Sequence, residues 1–340
     1  MLEQRRLGKT GVSVSLIGFG GIPIMRVGVG DAVKVIRTAL KSGINLIDTA
    51  RGYADSEEKI GAALKGQDLS VFLASKSPKR DRQGLLEDFE KSVSRLGVDA
   101  IDLYQAHCVN TREDFDKLMG AGGGHEALLE LKKEGRVRHI GITSHNPEML
   151  KAAIRSGEFE TIQLLYSIVE DDAGREIIPM AREADLGILA MKPFGGGSIE
   201  AYEIALRFVL SDPQIVALPG MASVEEVRKN IAVAERPSAL TADELGQAAR
   251  IKNELGARFC RRCDYCQPCP NGIPISFALH IPSVRQRVGD TVMKGEAYRD
   301  LYKKLGACDE CGNCEERCPF DLPVMDLIKE SRSILAEVLE

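Results

Sequence analysis

Between residue 13 and about residue 221 the chain alternates short apolar runs with amphipathic stretches. The apolar runs are "SVSLIGFGG" (13–21), "INLIDTA" (44–50), "VFLASKS" (71–77), "IDLYQAHCV" (101–109), "HIGITSH" (139–145), "TIQLLYS" (161–167), "GILAMKPF" (187–194) and "IVALPGM" (215–221). Each is nearly continuous, which predicts a parallel strand covered on both faces. The intervals read as helices. In "GDAVKVIRTALKSG" Asp31 is placed to cap, Val33, Ile36, Ala39 and Leu40 share a face, and Gly43 ends the helix. "LLEDFEKSVSRLG" and "GHEALLELKKEG" (124–135) repeat that design. Eight strands alternating with helices over roughly 250 residues predict an α/β chain with a (β/α)8 barrel of the TIM type. The opening "LEQRRLGKTGVSVS", with Gly8 and Gly11 at turn positions, reads as a hairpin able to plug the barrel floor.

After about residue 255 the strand-like runs vanish, while cysteine, proline and charge rise. Short helical segments remain, notably 295–306 and 323–339. The expected organisation is a barrel over 1–255 followed by a small cysteine-rich helical domain over 256–340. Hydrophobic content of 44% and charged content of 28% are those of a soluble globular protein. A net charge of −5 argues against general nucleic-acid affinity, and "SPKRDRQ" reads as a solvated loop. No apolar run reaches the length of a membrane span, and "MLEQRRLGKTG" lacks the apolar core of a signal peptide. The expectation is a cytoplasmic protein with neither nucleic acid nor membrane as partner.

Catalytic groups in such a barrel sit at the C-terminal ends of strands. Those ends supply Asp48, with Tyr53 in the loop beyond it, then Lys76 and His107. Taken singly, they read as a cap, a packing residue, an exposed cation and a histidine bonded to backbone. Together they form a device for protonating an oxygen as hydride arrives at its carbon. A lysine ammonium is expected to lower the tyrosine pKa, a carboxylate to hold the lysine, and a histidine N–H to position a carbonyl oxygen. Cys108, beside His107, reads as a small residue packed at a strand end.

"GINLIDTARGYADSEEKIGAAL" (43–64) resembles the aldo-keto reductase signature. "ASKSP", "RLGVDAIDLYQAH" and "GRVRHIGITSHN" resemble that family's lysine, histidine and fifth-strand segments. The resemblance covers about residues 3–235. It implies Tyr53 as general acid, with Lys76, Asp48 and His107 beside it, and NAD(P)H extended across the mouth without a Rossmann fold. The family's nicotinamide contacts fall on Asp48, Thr143, Ser144 and Gln163, where the usual pair at the second and third is serine then asparagine. Met191 stands where the family often has a tyrosine stacked on the nicotinamide. Lys192 and the Gly195–Gly197 run face the cofactor pyrophosphate or form a flexible loop. Gly220, Ser223 and Asn230 match the family's adenosine end, while Glu226 occupies a position often held by Arg or Gln. A carboxylate there favours a ribose hydroxyl over a phosphate, although Arg228 and Lys229 can compensate, so the expected cofactor is NADPH or NADH with a lean towards NADH.

Eight of the nine cysteines lie in the last 81 residues, in two runs. Cys308, Cys311, Cys314 and Cys318, followed by Pro319, have the bacterial ferredoxin spacing for a 4Fe–4S cluster. Cys260, Cys263, Cys266 and Cys269 are one residue short before the last cysteine. Zinc is the alternative metal. Where two such runs pair, the fourth cysteine of each serves the other cluster. The expected sets are Cys260, Cys263, Cys266 and Cys318, and Cys308, Cys311, Cys314 and Cys269. The two runs and their helical filler resemble the helical dicluster ferredoxin domain.

The reading is an NAD(P)H-dependent carbonyl reductase or alcohol dehydrogenase carrying two 4Fe–4S clusters. Its partners are a small carbonyl or alcohol substrate and a ferredoxin-type electron partner. The alternatives are an electron-transfer protein whose barrel docks a nucleotide or redox partner, and a binding module with a vestigial site. The intact set of four polar residues argues against the last.

Overall fold

The structure, a computed structural model, describes residues 2–67, 70–262 and 265–340. The chain opens with an antiparallel hairpin, β1 (Gln4–Arg6) and β2 (Ser13–Ser15). Eight parallel strands follow: β3 (Phe19–Gly20), β4 (Leu46–Asp48), β5 (Phe72–Ser77), β6 (Ile101–Ala106), β7 (Val137–Thr143), β8 (Thr161–Leu165), β9 (Gly187–Met191) and β10 (Ile215–Leu218). Each pairs with the next in chain order. Bridges Ile17–Ala217 and Gly20–Gly220 join β3 to β10 and close the barrel. Gly18 N–H donates to the Ala217 carbonyl at 2.8 Å, and Gly20 N–H to that of Pro219 at 2.9 Å.

The first apolar run is divided rather than forming one strand. Residues 13–15 pair with β1, and the barrel strand proper is Phe19–Gly20, with Ile17 bridging to Ala217. The division serves the floor: Leu7 and Val14 from the hairpin pack with the inward-facing Leu46, Phe72, Leu103, Leu189 and Val216. Gly8 makes that docking feasible. It holds φ +51° with its backbone against Leu186 and Gly187, where a Cβ would overlap both.

The intervals are helical as the periodicity predicts. Helix α1 (Val29–Lys41) starts two residues before Asp31, with Gly28 as its cap, so Asp31 lies inside the first turn. There it still opposes the positive end of the helix dipole. The buried stripe is Ala32, Val35, Ile36, Ala39 and Leu40, with Val33 only partly covered. Helices α2 (Ser56–Leu64) and α3 (Arg82–Leu96) meet at Gly61, where a Cβ would stand 2.5 Å from the Arg95 carbonyl oxygen and 2.8 Å from that of Leu96. These are backbone atoms and cannot rotate away. Gly61→Ala is expected to lower stability by about 1–3 kcal/mol, the usual cost of overpacking. Urea unfolding checks this, and an unchanged midpoint contradicts the close approach.

The outer layer continues with α4 (Arg112–Met119), α5 (Gly124–Lys133), α6 (Pro147–Ser156), α7 (Asp172–Glu183), α8 (Tyr202–Leu210), α9 (Val224–Ala234) and α10 (Ala242–Gly256). Beyond them lie α11 (Ile275–Ala278), α12 (Ile281–Val288), α13 (Asp290–Met293), α14 (Glu296–Leu305), α15 (Asn313–Glu316) and α16 (Val324–Leu339). These later helices have an apolar cluster of their own, including Ile281, Val284, Met293, Leu301 and Leu335. Helix α12 packs against the 3-10 turns Pro23–Arg26 and Gly195–Gly197, which follow β3 and β9. The helical tail therefore sits on the C-terminal face of the barrel. Among the described residues, no helix is long and apolar enough to cross a membrane.

Candidate active site

Asp48 ends β4, Lys76 lies near the end of β5, and His107 directly follows β6. In the β4–β5 register Asp48 faces Ala74, so Lys76 lies two residues further on and points the same way as Ala74. Lys76 Nζ stands 2.8 Å from Asp48 Oδ2 and donates to the Thr49 carbonyl at 2.6 Å, and both side chains are buried. The Tyr53 ring meets the His107 ring edge-on at 5.6 Å, and Lys76 Nζ lies 5.2 Å from the Tyr53 ring centre. The four residues expected from strand ends are thus brought together.

The loop that carries Tyr53 is held from below by the residues that follow it. Ser56 Oγ donates to the Gly21 carbonyl and lies 2.9 Å from Thr49 Oγ1. Glu57 is fully buried, one oxygen paired with Arg51 and the other accepting from Ser75 Oγ at 2.8 Å. Lys59 Nζ donates to the Ile24 carbonyl at 2.9 Å and pairs with Asp55 at 2.8 Å. The stretch "DSEEKIGAAL" is therefore a bracket that fixes a phenol-bearing turn against two strands.

Burial raises the Asp48 pKa, opposed by Lys76 and by the amide of Gln163, whose Nε2 lies 3.4 Å from Oδ2. Tyr53 is pushed well above the ordinary phenol value, first by burial, then by the charges of Asp48 and Cys108, with Arg287 opposing. This corrects the expectation that Lys76 depresses it. The lysine charge is matched by Asp48 at 2.8 Å, so burial wins. His107 is pushed well below the usual histidine value by burial, then by Lys76, Arg80 and Lys192. It is a neutral imidazole near pH 7.

His145 is depressed in the same way, by burial and then by Lys192. Unfolded, both histidines bind a proton that the fold refuses. Their contribution is therefore complete above pH ~6.5 and is lost as pH falls, by up to ~1.4 kcal/mol per pH unit for each. Unfolding midpoints measured at about pH 7.5, 6.5 and 5.5 should be level across the first interval and drop across the second. His125 and His280 are depressed by burial as well, so His145→Gln should reduce the slope by about a quarter to a third; equal slopes in the two proteins would contradict the assignment.

A cavity of about 570 Å³ occupies the barrel mouth, and Asp48, Tyr53, His107, Cys108, Gln163, Met191, Lys192, Gly220 and Glu226 open onto it. Other expected residues lie behind its wall. Thr143 Oγ1 accepts from the Cys108 N–H at 2.8 Å, Ser144 Oγ donates to Asn110 Oδ1 at 3.1 Å, and Asn230 is buried on α9. Ser223 caps α9 in a capping box with Glu226. Glu226 Oε2 accepts the N–H groups of Ala222 and Ser223 at 2.6 and 3.0 Å, and Oε1 faces Arg26 at 3.3 Å. The lean towards NADH rested on this carboxylate, whose Oε2 is taken up by the capping box while Oε1 faces Arg26 at the mouth.

Several residues in or behind the wall were missed from sequence. Gln105 Nε2 donates to Gln163 Oε1 at 3.2 Å, and a buried glutamine inside the otherwise apolar run "IDLYQAH" was a readable signal. Gln286 and Arg287 reach the mouth from α12, and Arg26 from the turn after β3. Arg287 carries no local signal, because only the docking of the tail brings it there.

In the tail, Cys266, Cys269, Cys308, Cys311 and Cys314 line one small cavity between the two runs. Cys266 and Cys269 of the first run thus face the same cavity as three members of the second, whereas the expected sets place only Cys269 with them. Cys260 is buried, its carbonyl 2.8 Å from His280 Nε2, and Cys318 packs against the tail's apolar cluster. Cys263 lies outside the described residues. Among the described residues, no three of His, Cys, Asp and Glu stand close enough to hold a single metal ion. A tetrahedral zinc needs every sulfur about 2.3 Å from one point. Thiols ranged round a cavity fit a multi-iron cluster, whose irons each take one thiolate.

Three comparisons bear on this geometry. The profile of the "Aldo/keto reductase family" matches residues 17–203, and that of the "4Fe-4S dicluster domain" matches residues 259–331. The aldo-keto reductase str7 of Strobilurus tenacellus is 31% identical over 217 residues, covering 58% of this chain and 62% of that protein. The matches span 66%, 62% and 59% of the first curated relatives, so the chain covers less than two thirds of their length. The holo form of aldo-keto reductase AKR11C1 from Bacillus halodurans superposes with a TM-score of 0.63 at 25% identity, covering 74% of this chain and 96% of that one. An aldo-keto reductase from Klebsiella pneumoniae in complex with NADPH gives 0.63 at 23% identity, covering 74% and 95%, and shows the shared fold. With more than half its length matched over the barrel that carries Asp48, Tyr53, Lys76 and His107, the chain belongs to the aldo/keto reductase family and bears a 4Fe–4S dicluster domain at its C-terminal end.

Proposed function

We propose that the barrel mouth transfers hydride between a nicotinamide cofactor and the carbonyl or alcohol carbon of a small substrate, with Tyr53 as general acid in reduction and base in oxidation. The observation that supports this most is that Tyr53, His107 and Asp48 open on one cavity while Lys76 is ion-paired to Asp48 beneath them. In reduction the phenol O–H gives its proton to the carbonyl oxygen, so the alcohol leaves with one hydride on carbon and one proton on oxygen. Neutral His107 donates an N–H to that oxygen and orients it. The Asp48–Lys76 pair fixes a polar wall beside the phenol.

NADPH or NADH supplies the hydride when bound. Gln163, with Thr143 and Ser144 behind it, would hold the nicotinamide amide, and Met191 would lie against the ring. Gly220 would border the path to the adenosine end at Ser223, Glu226 and Asn230, while Lys192 stands at the rim shared with a second cavity. The NADPH bound by the Klebsiella relative supports this class of cofactor. Cys269, Cys308, Cys311 and Cys314 would ligate one 4Fe–4S cluster, and Cys260, Cys263, Cys266 and Cys318 the other. Such clusters carry single electrons, which fits a ferredoxin-type partner. The same reading divides the chain near residue 255, supported by the tail's separate apolar cluster.

The test is anaerobic turnover of NADPH with a small aldehyde by wild type and Tyr53→Phe. Loss of turnover in the variant supports the reading. Undiminished turnover favours the alternative, in which the barrel docks a nucleotide and the clusters carry the electrons.

A further inference from the structure

Beside the mouth lies a second cavity of about 320 Å³, lined by His145, Lys192, Arg262, His280 and Arg287 among others. His145, Lys192 and Arg287 line both cavities, so the two spaces adjoin across them. One wall comes from the barrel and the other from the helical tail. The charges are unbalanced. Arg262 Nη1 is paired with Glu170 Oε1 at 2.6 Å, and its Nη2 lies 3.0 Å from His280 Nδ1. Glu170 Oε2 is buried with no hydrogen-bond partner among the described residues, so one carboxylate stands against three cations.

Lys192 and Arg287 have no carboxylate partner among the described residues. Lys192 Nζ meets only His145 Nε2, at 3.3 Å, from a backbone held at φ +57°. A left-handed conformation is uncommon for a lysine, and it places the residue at the rim shared by the two cavities. Arg287 uses its Nε on the Ser283 carbonyl at 3.1 Å, and its terminal nitrogens have no hydrogen-bond partner among the described residues.

We propose that Lys192 and Arg287 form an anion subsite at the substrate end of the mouth, so that the carbonyl substrate carries a carboxylate or a phosphate monoester. Lys192, Arg262 and Arg287 thus set three positive charges against the one carboxylate of Glu170, and an oxyanion between Lys192 and Arg287 relieves the excess. Burial and then the charges of Arg262 and Arg287 depress the Lys192 pKa, with Glu170 opposing, so the excess positive charge is felt at its ammonium. The arginine fork suits planar bidentate recognition. The tail thereby becomes part of substrate selection, because Arg287 reaches the mouth only through α12.

The proposal rests on the hydride-transfer reading for where the carbonyl sits, and its test has an arm that does not. Cluster-loaded protein is assayed with two matched pairs: para-carboxybenzaldehyde against benzaldehyde, and glycolaldehyde phosphate against glycolaldehyde. Wild type should prefer the charged member of at least one pair in kcat/KM by about tenfold to a hundredfold, the range for hydrogen bonds to charged groups. The pair with the larger ratio assigns carboxylate or phosphate. Arg287→Gln should bring the ratio close to one, and Arg287→Lys should restore part of it. A ratio near one in wild type, or one unchanged in Arg287→Gln, overturns the proposal. So does a variant that weakens NADPH binding with the ratio intact, which would give the cations to the cofactor's diphosphate. If no aldehyde is reduced, calorimetric binding of the same pairs decides. A charged-ligand preference that Arg287→Gln abolishes supports the subsite although the hydride-transfer reading fails, and equal binding of both members overturns it.

Discussion

Replacing Tyr53 with phenylalanine should lower kcat for aldehyde reduction about 10²–10⁴-fold, the usual share of a positioned general acid. The substitution removes one hydroxyl and leaves the ring. The edge-on contact with His107 and the approach of Lys76 Nζ to the ring are therefore kept, and the loop bracket does not involve the phenol oxygen. Cofactor affinity should stay within about threefold, because the loss falls on an interaction made in the transition state rather than on uniform binding. The direction of the pKa shift adds a second readout. Burial and Asp48 keep the phenol protonated through neutral pH, which suits an acid and handicaps a base. Reduction should then be level between about pH 7 and 9, while alcohol oxidation should climb as the phenolate becomes populated. A Tyr53→Phe protein retaining more than about a tenth of wild-type kcat would contradict the role.

Cys314→Ala should reduce anaerobically prepared protein from about eight irons per chain to about four, with the remaining cluster on the other cysteine set. The expectation goes beyond iron content. Helices α11, α13 and α15 have four residues each, far below the length at which a helix persists alone. Their order depends on what they pack against, and where a site forms only on folding, metal binding contributes folding free energy. Complete iron removal by a chelator should therefore cost the tail part of its helical circular dichroism, and with it the seat of α12 on the barrel mouth. Arg287 would then leave both cavities, and the charged-over-neutral aldehyde ratio should fall as it does in Arg287→Gln. Full helicity after iron removal would show that the tail's apolar cluster suffices without clusters. Zinc in place of iron would remove the assignment for both runs.

The sequence was most legible where one physical rule acts locally. Near-continuous apolar runs located the eight strands, because a strand covered on both faces has no polar side to show. Polar groups at their ends marked Asp48, Tyr53, Lys76 and His107, because a buried strand rarely tolerates charge without use. Legibility failed where the deciding contact is remote. The first run was divided because the barrel floor needed Leu7 and Val14, which a strand-length criterion does not register. The expected fall in the Tyr53 pKa ignored that Asp48 cancels Lys76 while burial remains. Glu226 was a different kind of miss. Ser223-Val-Glu-Glu226 is a capping-box pattern, readable from four letters, and it had already committed one oxygen of that carboxylate. Arg287 had no such warning, since an arginine on an amphipathic helix is ordinarily solvated.

The most direct test of hydride transfer follows the label itself. Cluster-loaded protein is given benzaldehyde and NADPH deuterated at the reactive ring carbon, without oxygen, and the alcohol is weighed by mass spectrometry. Hydride transfer predicts one deuterium on the alcohol carbon in wild type and alcohol formed at least about a hundredfold more slowly by Tyr53→Phe. Deuterium-free alcohol, or consumption of NADPH with reduced clusters and no alcohol, would contradict it.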